Sequence, residues 1–347
     1  MEPLHEILLD WYDREGRDLP WRHTRDPYRI WLSEVILQQT RVAQGTDYYL
    51  RFTARFPNAG ALAAASEDEV LKLWQGLGYY SRARNLHAAA KRIAQEFGGR
   101  FPATFDAVRA LPGVGDYTAA AICSAAYDLP CAAVDGNVYR VLSRLFDVDE
   151  PIDTTAGKRT FAELAQTQLD TARPGRYNQA IMDFGATVCT PAQPRCGACP
   201  LSDRCLALAA GTVAERPVKR GAARVRDRWF HYLHLTCAGR VVLRKRGPGD
   251  IWQGLYEFPL IETGAPADLA QLSASAEFGE WVGDAWTLRR TVTMSAHQLS
   301  HQRLHAVVYR LDVPQLTPRA AACAVDAASL GDYAVPRLLE RYLEQDD

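Results

Sequence analysis

Phe105-Asp-Ala-Val-Arg-Ala-Leu-Pro-Gly-Val-Gly-Asp-Tyr-Thr-Ala-Ala-Ala-Ile-Cys-Ser-Ala-Ala-Tyr127 decides the fold of this chain. It reads as helix, the turn Leu111-Pro-Gly-Val-Gly115, then a second helix whose buried side runs through Thr118, Ala121, Ile122 and Ala125. Gly113 and Gly115 let backbone N–H groups approach a ligand closely, and the second helix starts there with its positive dipole end. A DNA phosphate suits such a nest. Taken alone, the turn is as well explained by an αα-hairpin that only packs.

Helical spacing extends in both directions from the hairpin. Leu4, Ile7, Leu8 and Trp11 share one helix face, as do Val138, Val141, Leu142 and Leu145, and no convincing strand pair intervenes before about Ala210. The period then changes. Trp229–Cys237 and Arg240–Arg246 are rich in aromatic and β-branched residues and meet at Ala238-Gly239, the pattern of a hairpin. Strand-like runs follow at Leu255–Ile261, Leu288–Met294 and Leu304–Val313, with a short helix expected near Val335–Glu344. The expected fold class is therefore multidomain: an all-α domain over 1–210, a basic linker over 211–228, and an α+β domain over 229–347.

A chain of 347 residues is long enough for two cores, and its composition is that of an ordinary globular protein. No apolar run is long enough to span a bilayer, so no membrane association is expected. Met1-Glu-Pro-Leu-His5 has no basic stretch ahead of an apolar core, which makes cytosolic residence the expectation. The net charge of −1 lacks the basic surplus common among nucleic-acid binders. Basic residues are concentrated locally: Arg216, Lys219, Arg220, Arg224, Arg226 and Arg228 are opposed only by Asp227. That stretch can track phosphates, and a solvated linker explains it at least as well.

Two carboxylates stand out. Asp135, in Ala132-Ala-Val-Asp-Gly-Asn-Val138, follows an apolar approach and precedes a periodic helix, so it is first an N-cap. Capping donors and the dipole are expected to hold it ionised, the state that stabilises a cationic sugar. Asn137 can orient either the substrate or that carboxylate. Glu34, in Ile30-Trp-Leu-Ser-Glu-Val-Ile-Leu-Gln-Gln-Thr40, shares a helix face with Ile30 and Leu37. It is a rim residue, or else an acid in an apolar setting, with a raised pKa that suits a general acid.

Cys189, Cys196, Cys199 and Cys205 are spaced C-x6-C-x2-C-x5-C, while Cys123, Cys131, Cys237 and Cys323 are scattered and read as small apolar residues. A cytosolic chain has little use for disulfides, so the array implies metal, and four thiolates suit zinc or a [4Fe–4S] cluster about equally. Pro191, Pro194, Gly197 and Pro200 favour a tight loop around something large, which leans toward the cluster.

Together, Leu19-Pro-Trp-Arg22, Ser33–Thr40, Gly76-Leu-Gly-Tyr-Tyr-Ser81, Leu111–Gly115, Val134-Asp-Gly-Asn137 and the cysteine array resemble the adenine DNA glycosylases of the helix-hairpin-helix superfamily over nearly the full length. The resemblance implies a [4Fe–4S] cluster on the four cysteines. It also implies hydrolytic removal of adenine mispaired with 8-oxoguanine or guanine in duplex DNA, after the base is flipped out of the stack. Glu34 would protonate adenine N7 and later help activate water, and Asp135 would stabilise the oxocarbenium-like sugar with Tyr117 and Asn137 in support. Arg22 and Gln179 fall where the family contacts the flipped base, and both carry donors suited to a base edge. Tyr79, Gln39 and Thr40 match the part that fills the duplex beside the lesion, where an aromatic side chain can stack. A monomer working at the nucleoid is expected.

The carboxyl-terminal half resembles the family's Nudix-like lesion-recognition domain through Gly249–Pro259 and His297-Gln-Leu-Ser-His301. Leu299, Ser300 and His301 match the loop that probes 8-oxoguanine, with leucine where the family usually has phenylalanine. A hydrolytic Nudix box needs a Glu-rich helix to hold magnesium, whereas Glu257 and Glu262 stand alone, so no pyrophosphatase activity is expected. Two rivals remain. A glycosylase–lyase resembling endonuclease III needs a lysine nucleophile where this chain has Tyr117, and a non-catalytic iron–sulfur DNA-binding protein has no need of both carboxylates.

Overall fold

The computed structural model describes residues 2–221 and 225–345, in two compact units. The first comprises residues up to Ala64 together with Asn85–Gly221, and the second Ala65–Arg84 together with the chain from residue 225.

The first unit is helical. Its elements are α1 (Leu4–Glu15), α2 (Pro27–Leu37), α3 (Val42–Arg55) and α4 (Ala59–Ala64). After α5 (Glu67–Trp74), which belongs to the second unit, come α6 (Ser81–Glu96), α7 (Phe105–Arg109), α8 (Asp116–Tyr127), α9 (Gly136–Leu145), α10 (Thr155–Gln168), α11 (Pro174–Thr187) and α12 (Leu206–Ala210). The helix α2 is buried almost all round, from Tyr28 through Ile36, as expected of a central helix packed against α8. A second core joins α1, α9, α10 and α11 through Leu8, Trp11, Leu142, Phe161 and Phe184, with the Trp11 and Phe184 rings edge-to-face at 5.2 Å.

The α7–α8 hairpin falls where the sequence places it. Gly113 has φ +75°, and a Cβ there would lie 2.6 Å from the Asn85 side chain, so glycine is required twice over. Gly115 is different. Its backbone is extended as the N-cap of α8, and a Cβ would meet nothing within 4 Å, which leaves the approach to the helix terminus open.

A mixed sheet forms the second unit. The strands of this unit are β1 (Arg226–Cys237), β2 (Arg240–Val242), β3 (Arg244–Lys245), β4 (Tyr256–Glu257), β5 (Leu260–Thr263), β6 (Thr287–Thr293), β7 (His297–Gln298), β8 (Gln302–Asp312) and β9 (Ala324–Asp326), of which β3 and β4 pair with each other apart from the main sheet. The order β6-β8-β1-β2-β9 includes a long parallel pairing, from Arg226 against Gln302 to Thr236 against Asp312. The expected turn at Ala238-Gly239 does join β1 to β2, with both residues at positive φ. Alternation along β1 sends Phe230 and Tyr232 to one core and Leu233 and Leu235 to the other. The first core is covered by α16 (Arg337–Leu343). The second is covered by α13 (Leu269–Ser273), α14 (Ala276–Val282) and α15 (Pro318–Ala321).

Three expectations about the domain division change. First, the linker of 211–228 is much shorter. Ile152 N–H donates to Val218 O at 3.1 Å, and the Arg220 N–H bonds Asp153, so the chain stays on the helical unit through residue 220. At the other end, β1 already starts at Arg226. Second, the basic stretch does not act as one charged strip. Arg216 pairs with Asp147 at 2.9 Å, and the buried Arg228 binds Asp250 and Glu262, since burial requires partnered charges. Arg224 lies outside the described residues. Third, Ala65–Arg84 groups with the sheet rather than with 1–210, because Tyr256 Oη donates to Asp68 at 3.0 Å and Lys72 Nζ to Tyr333 O at 3.3 Å.

Candidate active site

One cavity of about 600 Å³ in the helical unit is lined by Arg22, Glu34, Gln39, Thr40, Tyr117, Asp135, Asn137 and Gln179. Five elements converge there: the turn Pro20–Arg22, α2 and the segment after it, the first turn of α8, the N-cap of α9, and α11. The volume suits a nucleobase with part of its sugar.

Glu34 is only 8% exposed, on the buried helix α2. Its Oε2 accepts a 2.6 Å hydrogen bond from the Tyr117 hydroxyl. Burial pushes the carboxyl up to about 7, the Tyr117 bond and Arg22 pull it down, and the Asp135 charge pushes it up. Tyr117 itself is driven well above its ordinary value, chiefly by burial, so it stays a phenol and a donor. Glu34 is thus an acid whose proton is available near neutral pH.

Asp135 caps α9. Its Oδ1 accepts from the N–H groups of Asn137 (2.9 Å) and Val138 (2.8 Å), and its Oδ2 from Asn137 Nδ2 (2.7 Å). The capping bonds and Arg140 pull its pKa down, as capping predicts, but burial outweighs them and the carboxyl lies above its ordinary value. All three partners donate to it, however, which is the hydrogen-bonding pattern of a carboxylate. Asn137 is committed to the protein, since its Oδ1 accepts from Arg140 Nη2 at 2.7 Å while its amide serves Asp135. It therefore orients the carboxylate.

Arg140 escaped sequence reading, as did Arg17, Arg144 and Asp183. Arg140, 8% exposed, also donates to Gly185 O (2.6 Å) and Cys189 O (2.6 Å), tying the Asp135 cap to the cysteine loop. Arg22 Nε donates to Gln179 Oε1 at 3.0 Å, which turns the Gln179 amide donor away from Arg22. Gln39 has φ +57°, a strained conformation for a residue other than glycine.

The remaining expected residues gather in the second unit, around a cavity of about 340 Å³ that includes Tyr79, Trp252, Leu299, Ser300 and His301. Tyr79 is 52% exposed at φ +46°, just after Gly78 at +72°, and its hydroxyl lies 3.1 Å from Ser300 Oγ. Leu299 packs on the core beside Trp252, itself at φ +61°. Of the two acids that could suggest a Nudix box, Glu257 is held by Arg244 and Arg246, and Glu262 by Arg228.

None of the four clustered cysteines is in a disulfide, and all four line one cavity. The buried Arg144 clamps their loop: its guanidinium donates to Cys189 Sγ (3.4 Å), Thr190 O (2.8 Å) and Pro191 O (3.0 Å). Among the described residues no three His, Cys, Asp or Glu side chains converge closely enough for a single ion. Four thiols lining one space are a donor set that suits a metal or a metal–sulfur cluster.

Residues 32–167 match the model of the HhH-GPD superfamily of base excision DNA repair proteins, and residues 231–345 match a NUDIX domain. A thermostable thymine-DNA glycosylase superposes on 59% of this chain and 95% of its own, with TM-score 0.56 and 31% identity. An endonuclease III–DNA complex, 22% identical with TM-score 0.52 over 61% of this chain and 94% of its own, shares the fold. Among curated relatives, the mouse adenine DNA glycosylase is 48% identical over 58% of this chain and 41% of its own length, so this chain spans about two fifths of that relative. The human adenine DNA glycosylase is 35% identical over 90% of this chain and 67% of its own. That of Buchnera aphidicola from Schizaphis graminum is 34% identical over 74% of this chain and 75% of its own. With the human and Buchnera relatives at least 34% identical and covered over two thirds or more of their own length, the chain belongs to the adenine DNA glycosylase family.

Proposed function

We propose that this chain is a monofunctional, monomeric DNA glycosylase that hydrolyses the N-glycosidic bond of adenine opposite 8-oxoguanine or guanine. The observation that carries this reading is the meeting of Glu34, Tyr117 and Asp135 in one cavity, an acid that keeps its proton to about 7 beside a carboxylate held by three donors. Adenine flipped into the cavity receives the Glu34 proton at N7. That proton draws electrons from the C1′–N9 bond, which breaks with its electron pair going to the base. Asp135 stabilises the cationic sugar electrostatically, a role that needs a fixed, hydrogen-bonded carboxylate. Glu34, now ionised, takes a proton from the water that attacks C1′, and the acid is regenerated. No amine stands at position 117 to form a Schiff base, so strand cleavage is not part of the reaction.

The four cysteines and Arg144 are proposed to hold a [4Fe–4S] cluster, which when bound supplies a rigid fastener for the 189–205 loop and takes no part in the hydrolysis. In the second unit, Tyr79, Ser300 and the surface around Leu299 are proposed to meet the 8-oxoguanine side of the mispair, and the Gly113–Gly115 turn to hold a phosphate.

Single-turnover adenine release from an 8-oxoguanine:A duplex, with a G:T duplex in parallel, tests the reading. Adenine release by the wild type and none by Glu34→Gln is expected, without stoichiometric borohydride trapping. Thymine release from G:T with no adenine release would transfer the chain to the activity named for its thymine-DNA glycosylase neighbour.

A further inference from the structure

Asp183, on α11, is completely buried and accepts hydrogen bonds from two arginines at once. Its oxygens take the Arg17 N–H (2.9 Å), Arg17 Nε (2.8 Å) and Arg17 Nη2, together with Arg22 Nη1 and Nη2 (both 2.7 Å). Arg22 Nη1 also donates to Arg17 O at 2.7 Å, and Arg22 Nε to Gln179 Oε1. Every nitrogen of the Arg22 guanidinium therefore has an acceptor other than Glu34. Yet Arg22 and Glu34 line the same cavity, and Arg22 lies close enough to bear on the ionisation of Glu34.

A guanidinium that loses its acceptors turns toward a neighbouring carboxylate and grips it bidentately. Glu34 would be that carboxylate, and a general acid so gripped is ionised and has no proton to give. The other charged or titratable groups lining that cavity are Tyr117 of α8, which donates to Glu34, Asp135 ahead of α9, whose charge favours its protonation, Tyr139 of α9, and the guanidinium groups of Arg17 and Arg41. Arg17, held with Arg22 on Asp183, borders Arg22, and the Tyr12 ring and the Arg22 guanidinium are in cation–π contact at 5.4 Å.

We infer that Asp183 is a positioning residue that keeps the Arg22 guanidinium turned away from Glu34, so that the acid retains its proton for the flipped base. The inference rests on the reading of Glu34 as the general acid. It assigns an acid–base role to a residue that borders neither substrate nor solvent.

The experiment is single-turnover adenine release from an 8-oxoguanine:A duplex between about pH 5 and about pH 9, for wild type, Asp183→Asn, Asp183→Glu and the double variant Arg22→Met/Asp183→Asn. The wild-type rate is expected to fall as pH rises through about 7, where Glu34 loses its proton. In Asp183→Asn the falling limb moves down by roughly one to three pH units, so the rate lost at neutral pH returns in acid. Asp183→Glu keeps the wild-type midpoint. In the double variant, with the freed cation removed as well, the midpoint returns to the wild-type position or above, whatever the absolute rate. A rate reduced by the same factor at every pH, with an unmoved midpoint, overturns the inference and leaves Asp183 a packing residue. Asp183→Ser, which leaves room for water, makes the same prediction and is read in its place if Asp183→Asn does not fold. A wild-type profile with no limb near neutrality would instead refute the assignment of Glu34, which separates the two failures.

Discussion

Glu34→Gln should make the protein inactive and, above neutral pH, more stable. A carboxyl whose pKa is raised by folding holds its proton more tightly in the native state than in the unfolded chain. Below the ordinary value of 4.5 both states are protonated and the residue costs nothing. As the pH rises from there toward about 7, the unfolded chain ionises while the native one resists, and stability is progressively lost. At about 1.4 kcal/mol for each pH unit, the interval from 4.5 to about 7 amounts to about 3 kcal/mol. Glutamine has nearly the same shape, still accepts from the Tyr117 hydroxyl and carries no charge, so it removes this loss. Urea unfolding followed by circular dichroism should place the variant about 2 to 3 kcal/mol above the wild type at pH 8, and within about 1 kcal/mol of it at pH 5. A difference independent of pH, or a variant less stable than wild type at pH 8, would refute the reasoning, because either result would mean that the carboxyl ionises in the native protein as easily as in water.

Asp135→Asn separates capping from chemistry: the asparagine oxygen still accepts from the Asn137 and Val138 N–H groups while the bond from Asn137 Nδ2 is lost, so stability should fall by about 1 to 2 kcal/mol while single-turnover adenine release falls on the order of a thousandfold or more. Glu257→Gln leaves Arg244 and Arg246 facing a neutral group inside the sheet domain, and denaturant titration should show a loss of roughly 3 to 5 kcal/mol. In Cys199→Ser, iron content and visible absorbance should drop and duplex affinity should weaken before the cleavage rate of bound substrate does. An unchanged metal content would remove Cys199 from the ligand set.

Features written in local spacing were legible in the sequence. The hairpin with its glycines, the helix faces of α1 and α9, the capping role of Asp135 and the β1–β2 turn are all set by residues within a few positions of one another. What depends on distant partners was not. Asp183 meets Arg17 and Arg22 across more than 150 residues, and nothing beside it marks an aspartate as buried. Arg228 reads as one more charge in a basic run, yet its acceptors, Asp250 and Glu262, come from beyond the first hairpin. The parallel pairing of β1 with β8 leaves no turn signature, since the strands are joined by a long crossover. The helices α13 to α15 are too short for a 3.6-residue period to rise above the background. The net pKa of Asp135 also turned on burial, which its capping sequence does not reveal.

Gly185 touches no substrate, yet a methyl group there would stand 2.7 Å from the Asn137 Cβ and 2.9 Å from its carbonyl oxygen. Asn137 holds Asp135, so the space left by one absent side chain sets how accurately the carboxylate is aimed. A population of such chains is therefore exposed to inactivation at a position that any inventory of catalytic groups would pass over. Alanine there would be the smallest alteration available and one of the most damaging, harming the centre by displacement with every reacting group still present.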